Sequence, residues 1–136
     1  MKTKEEVLAF VPPAARLLGR EILEVNTEEG GAVLRFTAPP EFLNRHGTVQ
    51  GGLLSAMLDS ATAIGLFSAL PPELTAVTVN LNVSFLRPAH AGTLTARSRL
   101  LTRDRRHAEV SGELFDADGV LVATATAKLR ILERKA

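Results

Sequence analysis

The chain is predicted to be α+β, an antiparallel β-sheet wrapped around one long central helix, and three observations carry that prediction. Strand-like alternation of apolar and polar residues occurs on both sides of a single stretch of helical length, Gly51 to about Leu70. Asp59 is the only Asp, Glu, Lys or Arg between Arg45 and Glu73, so that helix must be mostly buried. The several crossover helices that a parallel βαβ sheet needs are not present.

The elements follow in order. Thr3-Lys4-Glu5-Glu6 has the capping-box arrangement and Val7, Leu8 and Phe10 give an apolar side, so an N-terminal helical segment runs over about 3–18. Pro12-Pro13 interrupts it, and a second short turn from Pro13 to Leu18 stops before Gly19. Ile22 to Val25 and Val33 to Phe36 read as a hairpin around Asn26 to Gly31. Pro39-Pro40 breaks any regular pattern, and Glu41 to Gln50, with neither helical nor strand period, is a loop that delivers residues to a site.

In the long helix, steps of about 100° gather Leu53, Leu54, Met57, Leu58, Ala61 and Ile64 on one sector. Gly52, Ser55, Ala56, Asp59, Thr62 and Ala63 share the other, which permits close approach. From Ala76 to Phe85 the alternation places Val77, Val79, Leu81, Val83 and Phe85 on one face and Thr78, Asn80, Asn82 and Ser84 on the other. Pro88 to Gly92 turns the chain into Thr93 to Thr102, Ala108 to Phe115 and, after Asp116 to Gly119, Val120 to Leu132. The last four strands are expected to form an antiparallel meander. No repeat or linker divides the sequence, so residues 1–136 form one expected domain.

Composition excludes several functions. There is no Cys, hence no disulfide and no thiolate-bound zinc. Sixteen basic residues against fifteen acidic ones, a net charge of +1, give no bulk field for nucleic acid or an anionic membrane, although Arg103, Arg105 and Arg106 cluster locally. The first residues contain acids and too short an apolar stretch for a secretory signal, which predicts a cytoplasmic protein. Leu53 to Leu70 carries Asp59 together with Ser55, Ser60, Thr62 and Ser68, the pattern of a buried helix rather than a membrane span. Asn82-Val83-Ser84 is a chance glycosylation match inside a strand.

Chemistry concentrates in Phe42 to Gly52 and the helix that follows. Gly51-Gly52 at the helix start leaves backbone N–H groups open at the positive end of the helix dipole, able to hold an anion or a developing oxyanion. The plainer alternative is a tight loop-to-helix turn. Asp59 is costly to bury unless it is partnered or used; the alternative is a structural carboxylate bonded to Ser55 or Thr62. At about 1.5 Å per residue, Gly51 and Asp59 stand roughly 12 Å apart along the axis. They cannot both touch one carbonyl within one subunit, whereas two antiparallel copies of the helix about a two-fold axis bring Gly51 of one near Asp59 of the other.

Asn44 through Gly52, Leu58-Asp59-Ser60-Ala61 and Thr78 through Pro88, ending in Phe85-Leu86-Arg87-Pro88, resemble in order and spacing the hotdog-fold acyl-CoA thioesterases of the phenylacetic acid degradation (PaaI) type. The resemblance spans most of the chain. It implies a homodimer as the minimum unit, often paired into a homotetramer, with acyl-CoA as substrate and sites at the dimer interface. It implies that the Gly51 N–H polarises the thioester carbonyl with Asn44 beside it, that Asp59 of the partner subunit is base or nucleophile, and that Thr78 holds the attacking water. Gln50, Gly52, His46 and Arg87 would contact the substrate, and neither a metal nor a redox cofactor is required.

Relatives often carry His directly before the Gly pair; here Gln50 stands there and cannot titrate near neutral pH. Arg87, Arg103, Arg105 and Arg106 are either partners for CoA phosphates or solvated strand ends. His46 is either a polar loop residue or a direct participant. Two other functions share the same expected fold: a non-catalytic acyl-CoA-binding module, which has no need of Asp59 and Thr78, and a hydratase or dehydratase, against which Gln50 counts.

Overall fold

The structure, a computed structural model, describes residues 3–135. Two short helices open it, α1 (Lys4–Ala9) and α2 (Pro13–Leu17), so the helical segment expected over 3–18 is broken at Phe10 to Pro12. Thr3 Oγ1 accepts from the Glu6 amide at 3.1 Å and the Glu6 carboxylate accepts from the Thr3 amide, completing the capping box. Gly19, at φ 61°, takes the left-handed conformation that ends α2.

Six strands follow: β1 (Glu21–Val25), β2 (Gly31–Ala38), β3 (Leu74–Phe85), β4 (Gly92–Arg103), β5 (His107–Phe115) and β6 (Leu121–Glu133). They form one antiparallel sheet in the order β1-β2-β4-β5-β6-β3. Between β2 and β3 the helix α3 (Gly51–Phe67) crosses the concave side of the sheet and packs on all strands but β1.

The meander is therefore shorter than expected. β4, β5 and β6 follow one another, but β3 lies beyond β6 and β4 pairs with β2. The six residues between β3 and β4 are no tight hairpin turn. They cross the end of the sheet, with the Leu86 and Arg87 amides donating to Val122 O and Ala89 O accepting from the Val49 amide. Six extended residues span up to about 20 Å, enough to pass over two strands spaced about 4.8 Å apart.

The core lies between α3 and the sheet. Leu34, Phe36, Met57, Leu58, Leu94, Leu114 and Ala123 are among its buried side chains, and a smaller cluster around Leu66, Val110 and Leu129 extends it. Leu54, Met57, Leu58, Ala61 and Ile64 are buried as the sequence predicts, but Thr62, expected on the open sector, is fully buried. Its hydroxyl donates to the Leu58 and Asp59 carbonyls, and its methyl packs where β5 has Gly112 and no side chain. That missing Cβ lets helix and sheet approach closely.

The expected alternation in β3 also fails at one point. A bulge between Thr78 and Asn80 inserts Val79, so Ala76 and Thr78 pair with the inward-facing Ile131 and Leu129, while Leu81 and Val83 pair with the inward-facing Ala127 and Ala125. The extra residue shifts the period-two pattern by one and leaves Val77 and Val79 exposed. Thr78 consequently faces α3, opposite to its predicted face.

Candidate active site

Asp59 lies in the third turn of α3, on the flank toward β3, and is partly exposed. The Thr78 hydroxyl donates to Asp59 Oδ1 at 2.7 Å, joining helix and bulged strand. The hydroxyl that bonds the carboxylate is thus Thr78 and not Ser55 or Thr62, which donate to Gly51 O and to the Leu58 and Asp59 carbonyls. On the opposite flank, Arg20 Nη1 donates to Ser60 Oγ at 3.1 Å, and partial burial lowers the Arg20 guanidinium from its ordinary value. Between the flanks lies a strip of small residues, Gly52, Ala56 and Ala63, none of them buried.

Gly51 is the first residue of α3, and Gln50 caps the helix with backbone alone. Gln50 O accepts from the Leu53 and Leu54 amides, and its exposed side chain makes no cap bond. Among the described residues no acceptor stands against the Gly51 or Gly52 amide, so both donors remain open at the positive end of the helix. A Cβ on Gly51 would meet the Phe85 ring at 3.2 Å, whereas around Gly52 the space is clear. The sequence places Phe85 in an alternating strand and in the Phe85-Leu86-Arg87-Pro88 stretch but assigns it no role; the side-chain-free position at Gly51 is the available signal.

Asn44 organises the loop before α3. Its Oδ1 accepts from the His46 amide at 2.9 Å, the Thr48 amide at 3.2 Å and the Thr48 hydroxyl at 3.3 Å, which fixes the orientation of the side-chain amide. Its Nδ2 donors are uncommitted among the described residues. An antiparallel bridge between Leu43 and Val49 closes the loop, and Gly47, at φ 77°, turns it. His46 is exposed at the loop tip.

Arg87 is exposed beside a cleft of about 320 Å³ that Gly51, Phe85, Leu86 and Pro88 also line. Arg103, the last residue of β4, and Arg105 and Arg106 in the β4–β5 turn are exposed at the other end of the sheet from Gly51. A wider concavity of about 1040 Å³ lies on the outer face of the sheet among Arg97, Arg99 and Glu113, and includes neither Asp59 nor Gly51. No group of three or more His, Asp or Glu side chains among the described residues is arranged to hold a metal ion, and no helix among them is long and apolar enough to cross a membrane.

A curled antiparallel sheet around one buried helix is the hotdog fold of thioester hydrolases. The chain belongs to the thioesterase superfamily, whose family model matches residues 46–123. A phenylacetic acid degradation-related protein of Ralstonia eutropha superposes with TM-score 0.89 at 45% identity, over 95% of this chain and 99% of that one. The PaaI protein of Escherichia coli superposes with TM-score 0.81 at 30% identity, over 89% and 85% of the two chains. As the acyl-coenzyme A thioesterase PaaI, its sequence aligns at 36% identity over 63% of this chain and 59% of its own. A thioesterase family protein of Silicibacter pomeroyi gives TM-score 0.83 at 27% identity, over 90% and 91%.

Proposed function

We propose that the protein hydrolyses acyl-CoA thioesters to a free acid and CoA in sites shared between two subunits. The observation that carries this reading is the 2.7 Å bond from Thr78 Oγ1 to Asp59 Oδ1 on a helix flank that faces away from the core. With its proton committed to Asp59, the Thr78 oxygen offers its lone pairs to a water, which Asp59 Oδ2 can deprotonate. The water oxygen adds to the thioester carbonyl, and the oxyanion that forms is received by the open Gly51 amide of the partner subunit, with Asn44 Nδ2 beside it. Collapse breaks the carbon–sulfur bond, and the proton held by Asp59 passes to the departing CoA sulfur.

The dimer follows from length. Gly51 and Asp59 stand roughly 12 Å apart along the helix, too far for one carbonyl. β3, twelve residues long and at the sheet edge, exposes Val77 and Val79 and offers a second copy an unpaired edge. Two such dimers pairing would give the homotetramer. Arg87 would meet a CoA phosphate, and Gln50, Gly52 and His46 would border the bound thioester. The acyl group would lie along Ala56 and Ala63, and the relatives named for phenylacetic acid degradation make aromatic acyl-CoAs the first substrates to try.

The test is thiol release from short-, medium- and long-chain and aromatic acyl-CoAs by wild type and Asp59→Asn. The expected outcome is turnover on part of the panel and a loss of at least about 10²-fold in the Asn variant, the lower range for a positioned base. Equal turnover by both proteins would remove Asp59 from the reaction, and saturable binding without turnover would favour the acyl-CoA-binding module.

A further inference from the structure

We propose, building on that reading of the site, that Phe85 is a positioning residue for the thioester: the tip of its ring stands against the space that a side chain on Gly51 would occupy and thereby fixes where a carbonyl can meet the open amides of α3. The geometry is specific. The Cβ position of Gly51 stands 3.2 Å from Phe85 Cζ, 3.3 Å from Cε1 and 3.7 Å from Cε2, so the far edge of the ring points at the helix start. In an α-helix the Cα–Cβ direction leans toward the N-terminus, the end at which the first amides open. A ring against that space flanks the donors.

The two glycines are then not equivalent. Gly51 is walled by the ring, while nothing lies within 4 Å of a Cβ on Gly52. A ligand oxygen reaches the amides from the Gly52 side and is stopped on the other by an apolar edge. Water is kept from one side of the developing oxyanion, where a lower local dielectric strengthens the N–H···O interaction. Phe85 is nevertheless 53% exposed, a large apolar side chain at the end of β3 that the folded subunit leaves half uncovered. The cleft it borders has the Arg87 cation at its rim and the Gly51 amide in its lining, the polarity of a ligand with phosphates at one end and a thioester at the other.

The experiment is steady-state kinetics on the best substrate of the thiol-release panel, comparing wild type, Phe85→Leu, Phe85→Ala, Gly51→Ala and the double variant Gly51→Ala/Phe85→Ala, with melting curves for each. Phe85→Ala is expected to lower kcat by roughly 10- to 100-fold with KM within about threefold, because a misplaced carbonyl costs the transition state more than the ground state. Phe85→Leu, which keeps apolar bulk without the ring tip and stands in if the Ala variant does not fold, should fall between. Gly51→Ala keeps its N–H but presses on the ring edge, which must give by a few tenths of an ångström. The double variant should therefore lose no more than the worse single one.

A wild-type kcat in Phe85→Ala or Phe85→Leu, a change in KM alone, or losses that multiply in the double variant would each overturn the proposal. Asp59→Asn run alongside separates the two readings. If it is inactive beside unaffected Phe85 variants, only the role of Phe85 fails; if it is fully active, the proposed use of the whole site fails.

Discussion

At the scale of single residues, the proposed chemistry rests on the Thr78–Asp59 bond and the open Gly51 amide, and each can be removed without touching the core. Thr78→Val keeps the shape but leaves Asp59 Oδ1 without its donor; kcat should fall by roughly 10- to 100-fold, the scale for a misaligned reacting group, while Thr78→Ser should recover most of it. Gly51→Pro removes the amide proton at the first helical position, where Pro fits best. The preceding Gln50, at φ −56° and ψ 132°, already has the extended conformation that a following Pro imposes. Relative to Gly51→Ala, which sets the same Cβ against Phe85 but keeps the N–H, activity should drop by a further factor of about 10²–10³, the usual cost of one oxyanion donor; a Gly51→Pro variant as active as Gly51→Ala would remove that amide from the mechanism. Asp59 was legible in the sequence as the lone charge of a buried helix. Thr78 was legible only through resemblance, because Thr and Val are interchangeable in strands and simple alternation turned it the wrong way.

At the scale of elements, what the sequence concealed was decided by contacts between segments. No glycine marks the bulge at Val79, so nothing local announces that β3 changes phase. Val79 is the extra residue between adjacent pairs, so deleting it should leave Thr78 opposite Leu129 and facing α3 in uninterrupted alternation, with turnover retained; loss of kcat in a folded deletion variant would show that the bulge itself is needed. Gly112 records the opposite case, a glycine kept for space. A Cβ there would lie 3.2 Å from both Leu58 Cδ2 and Thr62 Cγ2, so Gly112→Ala should destabilise by about 1–3 kcal/mol in urea titration. In the β4–β5 turn, Asp104 accepts from the Arg106 and His107 amides, and these bonds hold its carboxyl below the ordinary 3.8. A carboxyl lowered in the folded state contributes fully above its unfolded value, and that contribution disappears as pH falls through the folded one. Hydrogen exchange of the Arg106 and His107 amides should accelerate relative to the sheet as pH falls below the ordinary 3.8, and Asp104→Asn should remove that pH dependence.

At the scale of the whole molecule, every strand was legible in the sequence but their order was not. Alternation states that a segment is a strand and which residues share a face, not which neighbour it will take. Leu81 and Val83 of β3 stand opposite Ala127 and Ala125 of β6, a fit of large against small that exists only once both strands are placed. The proposed shared site makes a prediction at this scale. Mixing inactive Asp59→Asn with inactive Gly51→Pro, followed by subunit exchange, should restore about a quarter of wild-type activity, since half of the dimers would be mixed and each would hold one intact site. No recovery in demonstrably mixed dimers would place both residues in one subunit's site. The strand order also governs how the chain acquires its structure. β2 waits for β4 across 54 to 68 residues, and β3, made before β4, finds its neighbour among the described strands in the last one, 38 to 59 residues further on. So high a contact order places refolding on the order of milliseconds to seconds, and during synthesis the sheet cannot close until β6 has left the ribosome.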